Sequence, residues 1–338
     1  MVSSYKKDKV TWANYIFRYA ATTATHPFEY SKLLIQLGHE PIAPWPTKTL
    51  FGRPALALPS VFQYVSYIKG VDGFSGCYRG LAPKLCSCLV SSLTYQRVRE
   101  SWQFDWEKRR ALGYGGTGDT TNGDDEGVGD EDEDSESGGG EELSEEEERR
   151  RFALCLTRDV VGRTVAVVVS HPFQVVAVRT MAQFVGGETL YSGLFASFRE
   201  IYREGGILGY FSGVLPRLIG ELLALVISST ATFAINTYLV EDPEVKTYTA
   251  ATVAFLAGTV TYPFQVVSNC MAVTKCGLAA GSPPSMLHYT SWTDCWSHLS
   301  RTGQLKRGSS LLWRYYSGPQ VNIGGRIVPL TVEQFKQN

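Results

Sequence analysis

Apolar residues in this chain collect in long blocks, separated by stretches where they recur every third or fourth position. Residues 222–240 and 247–273 contain no charged side chain, and each block is long enough to cross a hydrocarbon core as one helix. Residues 152–184 form a third block, with Arg158, Asp159 and Arg163 toward one end. Two weaker blocks, 10–37 and 80–99, carry Arg18, Glu29 and Lys32, and Lys84. The pattern predicts five spans. Between them, Tyr191, Leu194, Phe195, Phe198, Ile201 and Tyr202 recur at helical spacing, as do Tyr289, Trp292, Trp296 and Leu299. These predict short amphipathic helices lying along an interface.

A short signature recurs inside three of the blocks: His26-Pro27-Phe28, His171-Pro172-Phe173 and Tyr262-Pro263-Phe264. A proline within a helix removes a backbone donor and clashes with the preceding turn, so Pro27, Pro172 and Pro263 are expected to kink their helices. A glycine turn follows each signature, closing at Gly80 before Leu81-Ala82-Pro83 and at Gly213 before Val214-Leu215-Pro216. In the third unit it is reduced to the stretch from Gly303 to Gly308. The prolines are 145 and 91 residues apart, and an insertion in the first unit explains the longer interval. Three copies of one unit are therefore expected. They divide the chain into repeat 1 (1–115), an acidic insertion (116–150), repeat 2 (151–245), an incomplete repeat 3 (246–315) and a tail (316–338). After Gly308 no run is apolar and long enough to form a sixth span.

Net charge alters this picture. Residues 119–148 hold 16 acidic and no basic side chains, which leaves 17 acidic against 32 basic residues elsewhere, a net of +15. The acidic run is interleaved with small polar residues and cannot bury enough apolar surface to fold, so a disordered, solubilising loop is expected. The basic remainder suits helix-end anchoring and contact with anionic headgroups or acidic polypeptides. Seven cysteines show no zinc spacing and read as reduced packing residues. No phosphate loop and no nucleophile–base pairing is present, so neither an enzyme nor a cofactor, metal or nucleic-acid partner is expected. The N-terminus lacks an apolar signal core, which places targeting in the spans themselves.

The signatures carry a resemblance. The first unit has Pro27, Glu29 and Lys32, then Asp72, Gly73, Tyr78, Arg79 and Gly80, with Leu34 in place of a final base. This resembles the repeat of the mitochondrial carrier family over residues 10–312. The stretches from Leu34 to Pro41, Gln183 to Gly186, Asn236 to Val240 and Cys276 to Gly281 are similar to its divergent branch, the mitochondrial carrier homologs. The resemblance implies an all-α membrane protein: a three-repeat helical barrel with short surface helices, here lacking its sixth transmembrane helix. A carrier gate would need an acid two residues after each proline and a base three further on. Repeat 1 has Glu29 and Lys32, but repeat 2 has Gln174 and Ala177, and repeat 3 has Gln265 and Ser268. A ring of three ion pairs cannot form, and Gln174 with Gln265 is left as a weak amide latch.

Polar groups inside apolar spans are costly and need a reason. The candidates for the lining of a groove are Glu29, Lys32, Arg158, Asp159, Arg163, Gln174, Glu221, Asn236, Gln265 and Asn269. Interhelical hydrogen bonding would account equally well for Gln174, Gln265 and Asn269. Glu221 has no obvious local partner, and His26 and His171 read as packing residues. The resemblance implies a multi-pass protein of the mitochondrial outer membrane that inserts tail-anchored and other α-helical membrane proteins. A solute carrier moving a small metabolite is the alternative. A receptor for apoptotic partners of the BH3 type, or for metabolic ones, is compatible with insertion. The oligomeric state is left open.

Overall fold

The computed structural model describes residues 2–49, 52–111, 145–240, 243–316, 318, 320–323 and 326–329. Its helices are α1 (Val2–Leu37), α2 (Val61–Gly76), α3 (Leu81–Ala111), α4 (Glu145–Ala182), α5 (Leu194–Gly209), α6 (Val214–Tyr238), α7 (Pro243–Val273) and α8 (Trp292–Arg301). The expected helical architecture stands, with additions. Strands β1 (Trp45–Lys48), β2 (Pro54–Leu58) and β3 (Arg314–Tyr315) form one antiparallel sheet, and β4 (Gln320–Ile323) pairs with β5 (Arg326–Pro329). Two helices, Val214–Tyr238 and Tyr248–Val273, are long and apolar enough to cross a membrane. The other three expected spans fall on α1, α3 and α4, which are long but carry charges.

Each repeat is built the same way. A long helix contains the signature proline, a short amphipathic helix follows, and a glycine turn leads onward. The residue before each proline ties its repeat together. His26 Nε2 and His171 Nε2 lie 3.0 Å from the carbonyls of Arg79 and Ser212, and the Tyr262 hydroxyl donates to Arg307 O at 3.0 Å. All three acceptors directly precede the turn glycines Gly80, Gly213 and Gly308, whose φ angles are 80°, 78° and 77°. That left-handed conformation suits glycine. The histidines are packed as expected, each 1% exposed, and also act as hydrogen-bonding clamps. Repeat 3, degraded in sequence, keeps the same turn. Repeat 1 carries the β1–β2 hairpin between α1 and α2, an addition to the unit.

The turns also pack each repeat on the next. A Cβ on Gly80 would lie 3.1 Å from Ala177 O, and one on Gly213 would lie 2.4 Å from Ser268 O. One on Gly308 would meet Tyr262 and Ile35. The second halves of α1, α4 and α7 converge there around a dry core of Tyr30, Leu34, Val175, Ala177, Val266 and Cys270. Val61, Tyr64 and Ile68 of α2 join it. A capping box on Ser60 and Gln63 starts α2, and the Ser291 hydroxyl caps α8 at Asp294 N. The seven cysteines are free thiols.

Two expectations change. The acidic run does not reach its predicted end: α4 starts at Glu145, inside the stretch read as disordered, and residues 112–144 lie outside the described residues. Glutamate is a good helix former and is favoured near a helix N-terminus, so the end of the run joins the helix. The tail also takes a definite path. Among the described residues no helix follows α8. Val61 N donates to Leu311 O, and Arg314 reaches Pro59 O and forms an ion pair with Glu40. β3 then adds to β2, and β5 lies against β1 and β2. The segment that would begin a sixth span is held at the converging end.

Candidate functional site: polar links between the helices

Neighbouring helices meet in the order α1, α3, α4, α6, α7, and α1 meets α7 directly. The described polar contacts between α1 and α7 lie at one end. Gln36 Nε2 donates to the Tyr262 hydroxyl and Asn269 Nδ2 donates to Gln36 Oε1, both at 2.7 Å and both buried. Lys32 Nζ lies 4.8 Å from the Tyr262 ring centroid. Arg307 completes this seam, donating to Gln36 O, Gln304 Oε1 and Cys270 Sγ. Toward the other end the apolar faces are bare: Phe17 is 76% exposed on α1, and Phe255 is 74% exposed on α7. A recess of about 360 Å³ opens beside the seam, lined by Thr25, Phe28, Glu29, Lys32, Val61, Phe62 and Leu311.

The remaining charges form links between helices. Glu29 pairs with Lys84 of α3 at 3.7 Å, so its partner lies in its own repeat. Arg18 donates to Ser92 Oγ of α3 at 3.2 Å. Asp159 pairs with the adjacent Arg158 at 3.2 Å. Glu221 has partners after all. Arg217, one turn earlier, donates to Oε1 at 2.9 Å, and Arg163 Nε of α4 lies 2.8 Å from Oε2. The Arg163 contact is a charge contact by distance, because its N–H is not aligned for a hydrogen bond. Arg217 also approaches His171 Nδ1 at 3.4 Å, which connects the network to the second signature. The helical offset of four residues that brings Arg217 under Glu221 was readable in sequence.

The expected amide latch does not form. Gln265 is exposed, and among the described residues nothing bonds it to Gln174, which is half-buried. Gln36 and Asn269 make that contact instead, one helical turn deeper in α7. Asn236 lies near the end of α6, with its Oδ1 buried and without a partner among the described residues. Sequence reasoning missed Gln36, Tyr262 and Arg307. Gln36 does continue the polar stripe of Glu29 and Lys32 at helical spacing, and Arg307-Gly308 repeats Arg79-Gly80.

The converging end holds its own buried charges. Arg179, 3% exposed, donates to Ala272 O, the Tyr191 hydroxyl and Glu204. Burial raises the Glu204 carboxyl, while Tyr191 and Arg179 pull it down. Burial likewise raises Glu40, and the Arg314 guanidinium opposes it. Burial also holds His39 down at about 4, and so neutral.

Three pseudo-equivalent repeats, converging at one end and joined by polar links between helices, define a carrier-like membrane protein. A sequence profile for the family "Mitochondrial carrier protein" matches residues 150–243. "Mitochondrial carrier homolog 2" of Homo sapiens is 37% identical over 298 residues, covering 87% of this chain and 90% of the relative. "Mitochondrial carrier homolog 1" of Mus musculus is 34% identical over 318 residues, covering 88% of this chain and 74% of the relative. The chain belongs to the mitochondrial carrier homologs, and it is a mitochondrial membrane protein of the carrier family.

Proposed function

We propose that this protein is a multi-pass insertase of the mitochondrial outer membrane, serving tail-anchored and other α-helical membrane proteins. One observation carries the reading: the chain after Gly308 turns back to β2, so α1 and α7 meet with no helix between them among the described residues. A client helix would lie against their bare faces. Its polar flank would pass along Glu29, Lys32, Arg163 and Glu221, which lowers a cost of several kcal/mol per polar group in hydrocarbon. No bond is made or broken. Purified protein in liposomes should insert a tail-anchored client, and a yield equal to that of empty liposomes would sink the reading.

The sealed end also supports a second reading, a solute carrier of a mitochondrial membrane. Its gate would be neutral, built on Gln36, Asn269 and Tyr262 rather than on three ion pairs. Uptake of a radiolabelled metabolite by the same proteoliposomes would favour it. A receptor role toward apoptotic or metabolic partners would use the same bare faces and would show as capture of a BH3-type helix without its insertion.

A further inference from the structure

The tail leaves the third glycine turn with its apolar side chains outward. Leu311, Leu312, Trp313 and Tyr315 are exposed, Trp313 by 63%, whereas Arg314 between the two rings is 8% exposed and turns inward to Pro59 O and Glu40. This is the alternation of a strand with one covered and one bare face. In the sheet Tyr315 stands opposite Ala57, and Ala57 stands opposite Trp45. Residues directly opposite share a face, so the exposed Trp45 carries the bare face across all three strands. Leu311 continues it to the recess, where Phe28 and Phe62 meet edge to face with centroids 5.1 Å apart. A contiguous apolar patch of this kind marks an interaction site.

Three features identify what covers it. The patch adjoins Phe28 on α1, one of the expected spans, so a bilayer around that helix reaches it. Tryptophan and tyrosine gather at headgroup depth, where a ring meets acyl chain on one side and water on the other, and the exposed bases Lys48, Arg53 and Lys306 suit the same depth. Leu311, Leu312 and Trp313 lie outside any helix or strand, without the regular backbone pairing that the hydrocarbon core demands. The segment is therefore suited to the boundary and unsuited to the core.

We propose that residues 311–313, with Trp45 and Tyr315, form an in-plane membrane anchor. It seats the tail on lipid at the boundary between headgroups and acyl chains, at the point where a carrier repeat would send a sixth span through the bilayer. Arg314 holds the inner side of this strand to the protein while the outer side rests on lipid. The proposal needs only a membrane protein and is independent of the insertase and carrier readings.

The test uses the full chain in phosphatidylcholine liposomes that carry bromine either near the headgroup or near the end of the acyl chain. Bromine quenches indole fluorescence on contact. The chain has seven tryptophans, so the Trp313 signal is the emission of the parent chain minus that of W313F. The shallow label should lower this signal by about half and the deep label by far less, the pattern of a ring about 5–10 Å into the boundary. W45F, read in the same way, should give the same order and serves where W313F does not fold. Stronger quenching by the deep label at either residue overturns the proposal, because the tail would then enter the hydrocarbon. Indifference to both labels also overturns it. Quenching by aqueous iodide would then place the patch in water, and protection from iodide would place it beneath a second protein surface.

Discussion

The two ends of the α1–α7 seam differ in everything but their helices. At one end Gln36, Tyr262, Asn269 and Arg307 interlock over a dry core, and a glycine turn from each repeat presses on the next. Toward the other end the same two helices present phenylalanines to the outside. In the first two repeats the turn leads into α3 and α6, whereas in the third it leads into β3. The pseudo-threefold repeat therefore needs only its turns to seal one end, while a continuous wall needs the helix that each turn should start. Among the described residues, the third turn packs against repeat 1 without starting a helix.

That contrast can be broken at the sealed end first. Gly213→Val would place side-chain atoms against the Ser268 carbonyl and force a left-handed residue to be β-branched. A loss above about 4 kcal/mol is expected, measured as thermal unfolding in detergent. Arg314→Met strands the mostly buried Glu40 carboxylate and should cost about 3 kcal/mol, with Glu40→Gln in the same chain recovering most of it. Asn269→Ala leaves the buried Gln36 amide half-satisfied, at about 2 kcal/mol in the same assay.

On the open side the effects should fall on activity. Glu221→Lys sets a third cation between Arg163 and Arg217, splits α4 from α6, and should cut insertion several-fold. Unchanged insertion would remove Glu221 from the groove. The smallest effect belongs to the bare face. Phe255→Ala should alter stability by no more than about 0.5 kcal/mol, because the residue is 74% exposed. A large loss there would mean that something covers α7.

Much of the architecture was legible from local pattern. The prolines at 27, 172 and 263, the five long helices and two of the short amphipathic ones all follow from spacing. Reading the carrier gate residues by position was less successful, since Gln174 and Gln265 do not meet while Gln36 and Asn269 do. Those two are 233 residues apart, and no periodicity relates them. The clamping role of His26 and His171 was also hidden. A histidine before a helical proline reads as packing alone until the carbonyl it bonds, 53 or 41 residues away, is brought beneath it.

By itself, then, the chain determined where the five long helices lie, where prolines interrupt three of them, and that these segments carry more bases than acids. These depend on residue type and on offsets of three or four, which act within a single helix. Only the tertiary structure decided which charges are compensated, which amides lock the sealed end, and where the chain goes after Gly308. Those outcomes depend on contacts between segments hundreds of residues apart, where burial turns a modest polar contact into one that must be satisfied.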